Sequence, residues 1–386
     1  MIIGLVGKPS SGKSTFFAAS TMATVDINPR PFTTIKPNIG TAYVRVDCID
    51  KEFNVQCNPR EGFCINHIRF VPVELIDVAG LIPGAHLGKG LGNQFLNDLS
   101  QANVLIHVVD VSGSTDNEGN FIGYGKHDPN EDIKWLENEL NMWYKNVLER
   151  NKSKMERLKR SGKSESEIIR DIFSSFGVNE YIAEEVLRSY GSIEHWNSEE
   201  VAKYLREKTK PIIVAANKMD LPGSEENFNK LNVKYKVPVS AEIELALKRA
   251  AKQHLIQYIP GSNSFEIISN LNESQIKALE HMKKFLEKYH STGVQQTIEM
   301  AVYDLLKYIV VFPAGSKLTD NKGNILPDAF LMPPNSNLMD FARRIHTDIA
   351  NNLLYGIDVR TKKHLGKHYI LKHRDGIELV SAAKRK

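Results

Sequence analysis

Cysteine is scarce in this chain: there are 3, at Cys48, Cys57 and Cys64. An odd number crowded into one stretch argues against a disulfide framework. With His67 they have a faint metal-ligand look, but the paired spacing of a zinc module is missing, and the reading is a metal-free hairpin. Long apolar runs are absent too. None approaches the roughly 20 residues that span a bilayer, so no membrane partner is expected. Neither sign of charge dominates, since 50 basic residues face 46 acidic ones for a net +4. That balance is too mild to mark a nucleic-acid binder, and DNA is not expected as a partner. The opening text Met-Ile-Ile-Gly-Leu-Val-Gly has no charged n-region, apolar h-region or cleavage site, and the expected location is cytoplasmic. Internal repeats and low-complexity tracts are lacking. What remains is an ordinary globular composition, 41% hydrophobic and 25% charged, in 386 residues. That length holds two or three domains, each with its own core.

Short aliphatic runs alternate with helical segments over the first 245 residues: Ile2 to Val6, Ile68 to Ile76, Val104 to Asp110, Pro211 to Ala216, and Val237 to Ser240. Continuous apolar strands separated by crossovers describe a doubly wound, mostly parallel sheet covered on both faces. One spacing is abnormal. The stretch between Asp110 and Pro211 far exceeds one crossover helix. Within it Ile133, Leu136, Leu140, Trp143 and Val147 recur at helical steps, and two further helical patterns lie near Ile168 to Phe173 and Ile182 to Leu187. A helical hairpin inserted into the α/β domain is expected. Its basic tip, Lys152 to Lys163, reads as an RNA contact or a solvated turn. The tail combines strands around one helix with Leu338, Phe341, Ile345 and Ile349 on one face, a small α+β module. The expected division is therefore a nucleotide domain over 1–130 and 201–305, an inserted helical domain over 131–200, and a tail module over 306–386.

Gly7-Lys8-Pro9-Ser10-Ser11-Gly12-Lys13-Ser14, followed by Thr15, fits the phosphate-loop pattern between a strand and a helix. Backbone N–H groups of such a loop and the helix N-terminus wrap a β-phosphate. Lys13 neutralises β/γ oxygens and Ser14 ligates Mg²⁺. Asp77-Val78-Ala79-Gly80 ends a second strand, so Asp77 is expected at Mg²⁺ and the Gly80 N–H at the γ-phosphate, a hydrogen bond that disappears when that phosphate leaves. In "PRPFTTIKPNIG" a threonine hydroxyl can join the magnesium shell; Thr33 and Thr34 both qualify, and Thr34 stands with Ser14 and Asp77 in the expected metal set. Asn217-Lys218-Met219-Asp220 and Ser240-Ala241-Glu242 follow the later strands. A carboxylate at Asp220 accepts both donors on the guanine edge, which adenine lacks, so the nucleotide is GTP or GDP. Asn217 is expected to bond the base and brace the phosphate loop, Lys218 to cover the ring, and the Ala241 N–H to meet the guanine carbonyl.

Three stretches, "PFTTIKPNIG", "DVAGLIPGAHLGKGLGNQFL" and "VVDVSGSTDNEGN", resemble the Obg-related branch of translation-factor GTPases, most closely its archaeal YchF-like members. The tail, with "DAFLMPPNSNLMDFARRIH" and "LGKHYILKHRDGIELV", is similar to a TGS domain, a ubiquitin-like β-grasp module. The resemblance implies a P-loop fold with Mg²⁺ as cofactor and a nucleotide-dependent switch that meets ribosomes or rRNA. Bacterial and eukaryotic YchF proteins carry an altered base motif and prefer ATP, whereas Asn-Lys-x-Asp is intact here. Their hydrolytic histidine has no counterpart, the matching position falling near Phe121, and Ser10 stands where potassium-activated relatives have asparagine. Leu81 replaces a water-holding glutamine, which implies intrinsic turnover at the slow end of about 10⁻⁴ to 10⁻² s⁻¹. His86 reads as a surface residue, His107 as a packed strand residue, and the glycines at 84, 88, 90 and 92 as hinges. Lys362, Lys363, Lys367, Lys372 and the terminal Lys384 to Lys386 give the tail a basic bias suited to binding phosphates.

Overall fold

The structure, a computed structural model, describes residues 1–22, 39–78, 99–315, 318–320 and 322–382. They fall into two compact units. The first contains the described parts of Met1–Thr24, Phe32–Thr41 and Glu74–Ala301, and the second those of Ala42–Val73 and Val302–Lys386. Residues 42–73, which precede the insertion in sequence, thus cluster with the tail. Among the described residues no helix is long and apolar enough to cross a membrane.

The larger sheet contains β1 (Ile2–Val6), β2 (Ile39–Asp47), β3 (Phe63–Ile65), β4 (Ile68–Asp77), β5 (Val104–Asp110), β6 (Ile212–Asn217) and β7 (Lys236–Pro238), in the order β2-β4-β1-β5-β6-β7 with β3 against β4. The register is parallel from β4 through β1, β5 and β6 to β7. Every residue of β5 is buried, as befits a strand covered on both faces. The chain moves from β1 to β4 on one side and returns to β5 on the other. Loops leaving the carboxyl ends there diverge, opening the crevice where α/β sheets bind ligands. Helix α1 (Lys13–Thr21) starts in that crevice.

The insertion is more than a hairpin. Helix α2 (Pro129–Arg160) starts with Asp128 accepting the Asn130 N–H, Pro129 in the first turn, and Glu131 and Asp132 at the positive end of the helix dipole. Helices α3 (Glu165–Ile172), α4 (Glu180–Tyr190) and α5 (Ser198–Thr209) complete it. Tyr144, Leu148, Ile168, Phe173, Ala183, Val186, Val201 and Leu205 share a core of their own. Each large apolar side chain buried there contributes about 1.5–3 kcal/mol. The buried stripe of α2 runs through Ile133, Leu136, Leu140, Tyr144 and Leu148, while Trp143 and Val147 are half-buried. This one-residue shift places the Tyr144 hydroxyl 2.6 Å from Thr209 Oγ1 at the end of α5. At the basic tip, Lys159 pairs with Glu165 and Glu194, and Lys163 with Asp171, so much of its charge is already met.

After α6 (Ser224–Lys230) and α7 (Ala241–Lys252) come a two-stranded ribbon of β8 (Ile256–Gln257) and β9 (Glu266–Ile267), then α8 (Glu273–Tyr289) and α9 (Val294–Glu299). The second unit carries β10 (Ile309–Pro313), β11 (Phe330–Met332), β12 (Leu353–Asp358), β13 (His364–Leu365) and β14 (Asp375–Ser381) in the order β11-β10-β14-β12-β13. Only β10 and β14 pair in parallel there. Leu338 and Phe341 of α10 (Leu338–Ile345) are fully buried in its core with Val311, Leu353 and Ile377. The sequence suggests one helix through Ile349, but His346 is extended at φ −165 and caps a separate α11 (Thr347–Asn351). This is a β-grasp arrangement.

Candidate nucleotide-binding site

Parallel pairing gathers the motif residues at one sheet edge. Asp77, at the end of β4, lies in register with Leu5 near the end of β1, and Asn217 at the end of β6 is level with Asp110. Gly7 follows β1, and Ser240 and Ala241 follow β7. Far apart along the chain, these residues are brought to one edge by the sheet.

The phosphate loop needs its glycines. A Cβ on Gly7 would stand 2.6 Å from the Val108 carbonyl oxygen, and one on Gly12, at φ +89, would stand 2.2 Å from Asn217 Nδ2. Gly12 begins α1 without a side-chain cap, and the first turn contains no acid. The helix N-terminus therefore keeps its partial positive charge for an anion. Ser14 is exposed on that turn, Pro9 and Ser10 are exposed in the loop, and Thr15 is half-buried. Lys13 pairs through its ammonium with Asp77, so the two groups assigned to phosphate and magnesium meet each other.

Lys8 behaves differently from its neighbours. Its side chain is 3% exposed and turns away from the loop opening, 3.0 Å from Asp132 Oδ2 in the first turn of α2, and donates to the Thr115 carbonyl at 2.9 Å. His127 Nε2 lies 2.8 Å from the other oxygen of Asp132. What Lys8 offers a phosphate is its backbone N–H. The loop that follows β5 packs close by, for a Cβ on Gly119 would meet Pro9 Cβ at 2.8 Å. Phe121, beyond it, is 68% exposed.

At the base end, Asn217 is buried and joins two segments. Its Nδ2 donates to the Ser11 carbonyl at 3.0 Å, and its Oδ1 accepts the Ala241 N–H at 3.0 Å. The expected brace to the phosphate loop is there. The Ala241 N–H, expected at the guanine carbonyl, is instead engaged by Asn217. Ser240 is turned inward to cap α7, accepting the Ile243 N–H, while Glu242 is exposed. Asp220 is half-buried, and its carboxylate has no hydrogen-bond or ion-pair partner among the described residues.

Sequence reasoning missed Asp110. This fully buried carboxylate accepts from the Ser112 N–H at 3.0 Å, from Ser114 Oγ at 2.9 Å, from Thr115 Oγ1 at 3.0 Å and from Lys218 Nζ at 2.9 Å. Burial pushes its pKa up, but hydrogen bonds from Ser112 and Lys218 and the Lys218 charge outweigh that and hold it below the usual carboxylate value. It fixes Lys218, whose backbone is left-handed at φ 68, beside the base-recognition segment. A usable signal was present: Asp110 ends an apolar strand as Asp77 does. His107 is packed in β5, as expected. Thr33, Thr34, Gly80, Leu81, His86, the glycines at 84, 88, 90 and 92, and Lys384 to Lys386 lie outside the described residues.

Three family models match the chain: a 50S ribosome-binding GTPase over residues 2–146, the G4-motif-containing domain of YGR210-like Obg-like GTPases over 215–315, and a TGS domain over 308–381. A GTP-binding protein of Methanocaldococcus jannaschii is 46% identical over 99% of this chain and 100% of its own length. The Bacillus subtilis ribosome-binding ATPase YchF is 29% identical over 81% of this chain and 78% of its own. Among solved structures, a GTP binding protein from Pyrococcus horikoshii superposes with TM-score 0.78 at 34% identity, covering 99% of this chain and 100% of that one. The P-loop fold, the intact base motif and the C-terminal module agree with these matches, and the chain belongs to the Obg-like, YchF-related family of GTP-binding proteins.

Proposed function

We propose that this chain binds GTP and hydrolyses it slowly to GDP, and that the exchange of the two forms switches its association with ribosomes or rRNA in the cytoplasm. The observation that carries the reading is Asn217, which ties the phosphate loop at Ser11 to the base-reading turn at Ala241. The linked segments then present an open helix N-terminus and, at their other end, the Asp220 carboxylate, unpaired among the described residues. Lys13 would leave Asp77 for the β/γ oxygens. Ser14, Asp77 and Thr34 would hold Mg²⁺, and an all-oxygen donor set beside phosphates suits that ion. When bound, Mg²⁺ neutralises charge on the phosphate oxygens. Lys13 and the Gly80 N–H are the chain's own stabilisers of charge at the transferred phosphoryl group. With Leu81 unable to orient water, an activating group supplied in trans is part of the proposal. We also read residues 131–200, continued through α5 to Thr209, as the inserted domain, 306–386 as the tail module, and the remainder, apart from 42–73, which cluster with the tail, as the nucleotide domain.

A second reading is favoured by the Bacillus subtilis relative's name, which makes it an ATPase that binds ribosomes. Asp220 discriminates. Losing its charged acceptor removes about 1.5–3 kcal/mol per hydrogen bond to guanine, so Asp220→Asn is expected to weaken GTP at least tenfold and leave ATP unchanged. Equal wild-type affinity for the two purines would sink the GTP reading. Co-sedimentation with ribosomes in GTP, GDP and a non-hydrolysable analogue tests the switch, and binding that ignores the nucleotide would reduce the chain to a scaffold.

A further inference from the structure

In the second unit the chain's 3 cysteines converge. Cys48 ends the approach to a 3₁₀ turn at Ile49–Phe53, Cys57 follows on the irregular segment after it, and Cys64 lies in β3 of the hairpin with β4. Cys48 and Cys57 are 1% and 4% exposed. Asp50, fully buried, turns into the same point, and its oxygen and the three sulfurs all lie within 4.8 Å of one another. Burying a carboxylate among thiols is costly unless a cation shares the site.

The spacing between sulfurs fits a shared metal ion. Two thiolates bound tetrahedrally to zinc at about 2.3 Å stand about 3.8 Å apart. Cys48 Sγ and Cys57 Sγ are 3.6 Å apart, and Cys64 Sγ lies 3.9 Å from Asp50 Oδ2. A disulfide would account for two sulfurs and leave the third, with the carboxylate, unexplained. The surroundings are those of a supported metal site. His67 Nδ1 lies 2.9 Å from Asp50 Oδ1, and the Cys57 N–H donates to Asp50 Oδ2 at 3.0 Å. Arg69, 1% exposed, directs Nη1 at Cys57 Sγ at 3.6 Å and donates to the Leu326 and Pro327 carbonyls at 3.0 and 2.9 Å.

We propose that Cys48, Cys57, Cys64 and Asp50 form a structural Zn²⁺ site that fastens residues 48–64 within the second unit. Three thiolates and one carboxylate are soft enough to reject Mg²⁺ and Ca²⁺ and complete a closed tetrahedron, with no position left for a reactive water. Binding displaces the thiol protons: three S–H groups and one Zn²⁺ give three Zn–S bonds and three H⁺, with no change of oxidation state. Arg69 offsets part of the excess negative charge and carries the site's order to the Leu326–Pro327 backbone.

The test uses the full chain purified without chelator. We expect about one zinc per chain by elemental analysis. Because these are the only cysteines, a thiol reagent reads this site alone: thiols unreactive with metal bound and all 3 reactive after removal. Cobalt exchanged for zinc in the unaltered protein is expected to give the intense bands of a tetrahedral thiolate complex, which needs no variant to fold. Asp50→Asn and Cys64→Ser are each expected to lower zinc affinity 10-fold or more while GTP affinity stays unchanged. Freely reactive thiols that ignore added zinc, a Cys48–Cys57 disulfide in protein kept under reducing conditions, or an octahedral cobalt spectrum would each overturn the site.

Discussion

Acid sensitivity should trace in large part to His107. It is 1% exposed in the central strand β5, level with Val6 at the mouth of the phosphate loop, and its Nδ1 has no hydrogen-bond partner among the described residues. Burial, with a smaller push from the Lys8 charge, lowers its pKa from 6.5 to about 3. A depressed folded-state pKa means that the unfolded chain takes up a proton first. The imidazole therefore costs nothing above pH 6.5 and becomes destabilising as pH falls from there towards 3. Each pH unit in that window is worth about 1.4 kcal/mol, so at pH about 5 the loss from this group is about 2 kcal/mol. The assay is urea unfolding followed by tryptophan fluorescence, which reports on the first unit because Trp135, Trp143 and Trp196 all lie there. Wild type and His107→Leu are compared at pH about 7.5 and about 5. The variant is expected to lose about 2 kcal/mol less between the two conditions, whatever the substitution does to stability itself. Parallel losses would show that His107 titrates normally and that the reasoning from burial is wrong.

Asn217→Ala leaves the Ser11 carbonyl and the Ala241 N–H unpaired in a buried place. At about 1–3 kcal/mol for each group, unfolding should show a loss of about 2–6 kcal/mol, and calorimetry a nucleotide affinity that falls with it; an unchanged affinity would separate the brace from binding. Asp132→Ala strands the buried Lys8 ammonium, now left with the Thr115 carbonyl alone. Breaking such a pair typically costs about 3–5 kcal/mol, and a melting temperature within a degree of wild type would mean that the pair contributes nothing.

The candidate nucleotide site was legible as a pattern because its chemistry is written in short local stretches. A strand, a glycine-bearing turn and a helix start suffice to make an anion site, and Ile2 to Ser14 encode all three in adjacent positions. The parallel sheet was legible for the same reason, since unbroken apolar runs such as Ile212 to Ala216 are needed only where both faces are covered. The insertion's helical nature was readable from its period, but its buried stripe was off by one position because Tyr144, not Trp143, finds a partner in Thr209.

Pairings between distant segments were decided by the fold. Lys8 sits inside the phosphate-loop motif, yet its ammonium belongs to Asp132, since a buried cation goes to whichever carboxylate the packing brings within reach. The Ala241 N–H has two acceptable partners by chemistry, and the tertiary position of Asn217 gives it one. Cys48, Cys57 and Cys64 follow no metal-binding spacing along the chain, because a 3₁₀ turn and a hairpin, rather than one regular element, fold them onto Asp50. Sequence by itself determined the phosphate-loop and base-motif patterns from which the nucleotide site is proposed, for those depend on neighbours a few residues away. Which buried charges and thiols meet depends on chain segments that come together only when the core closes, and that the tertiary structure alone decided.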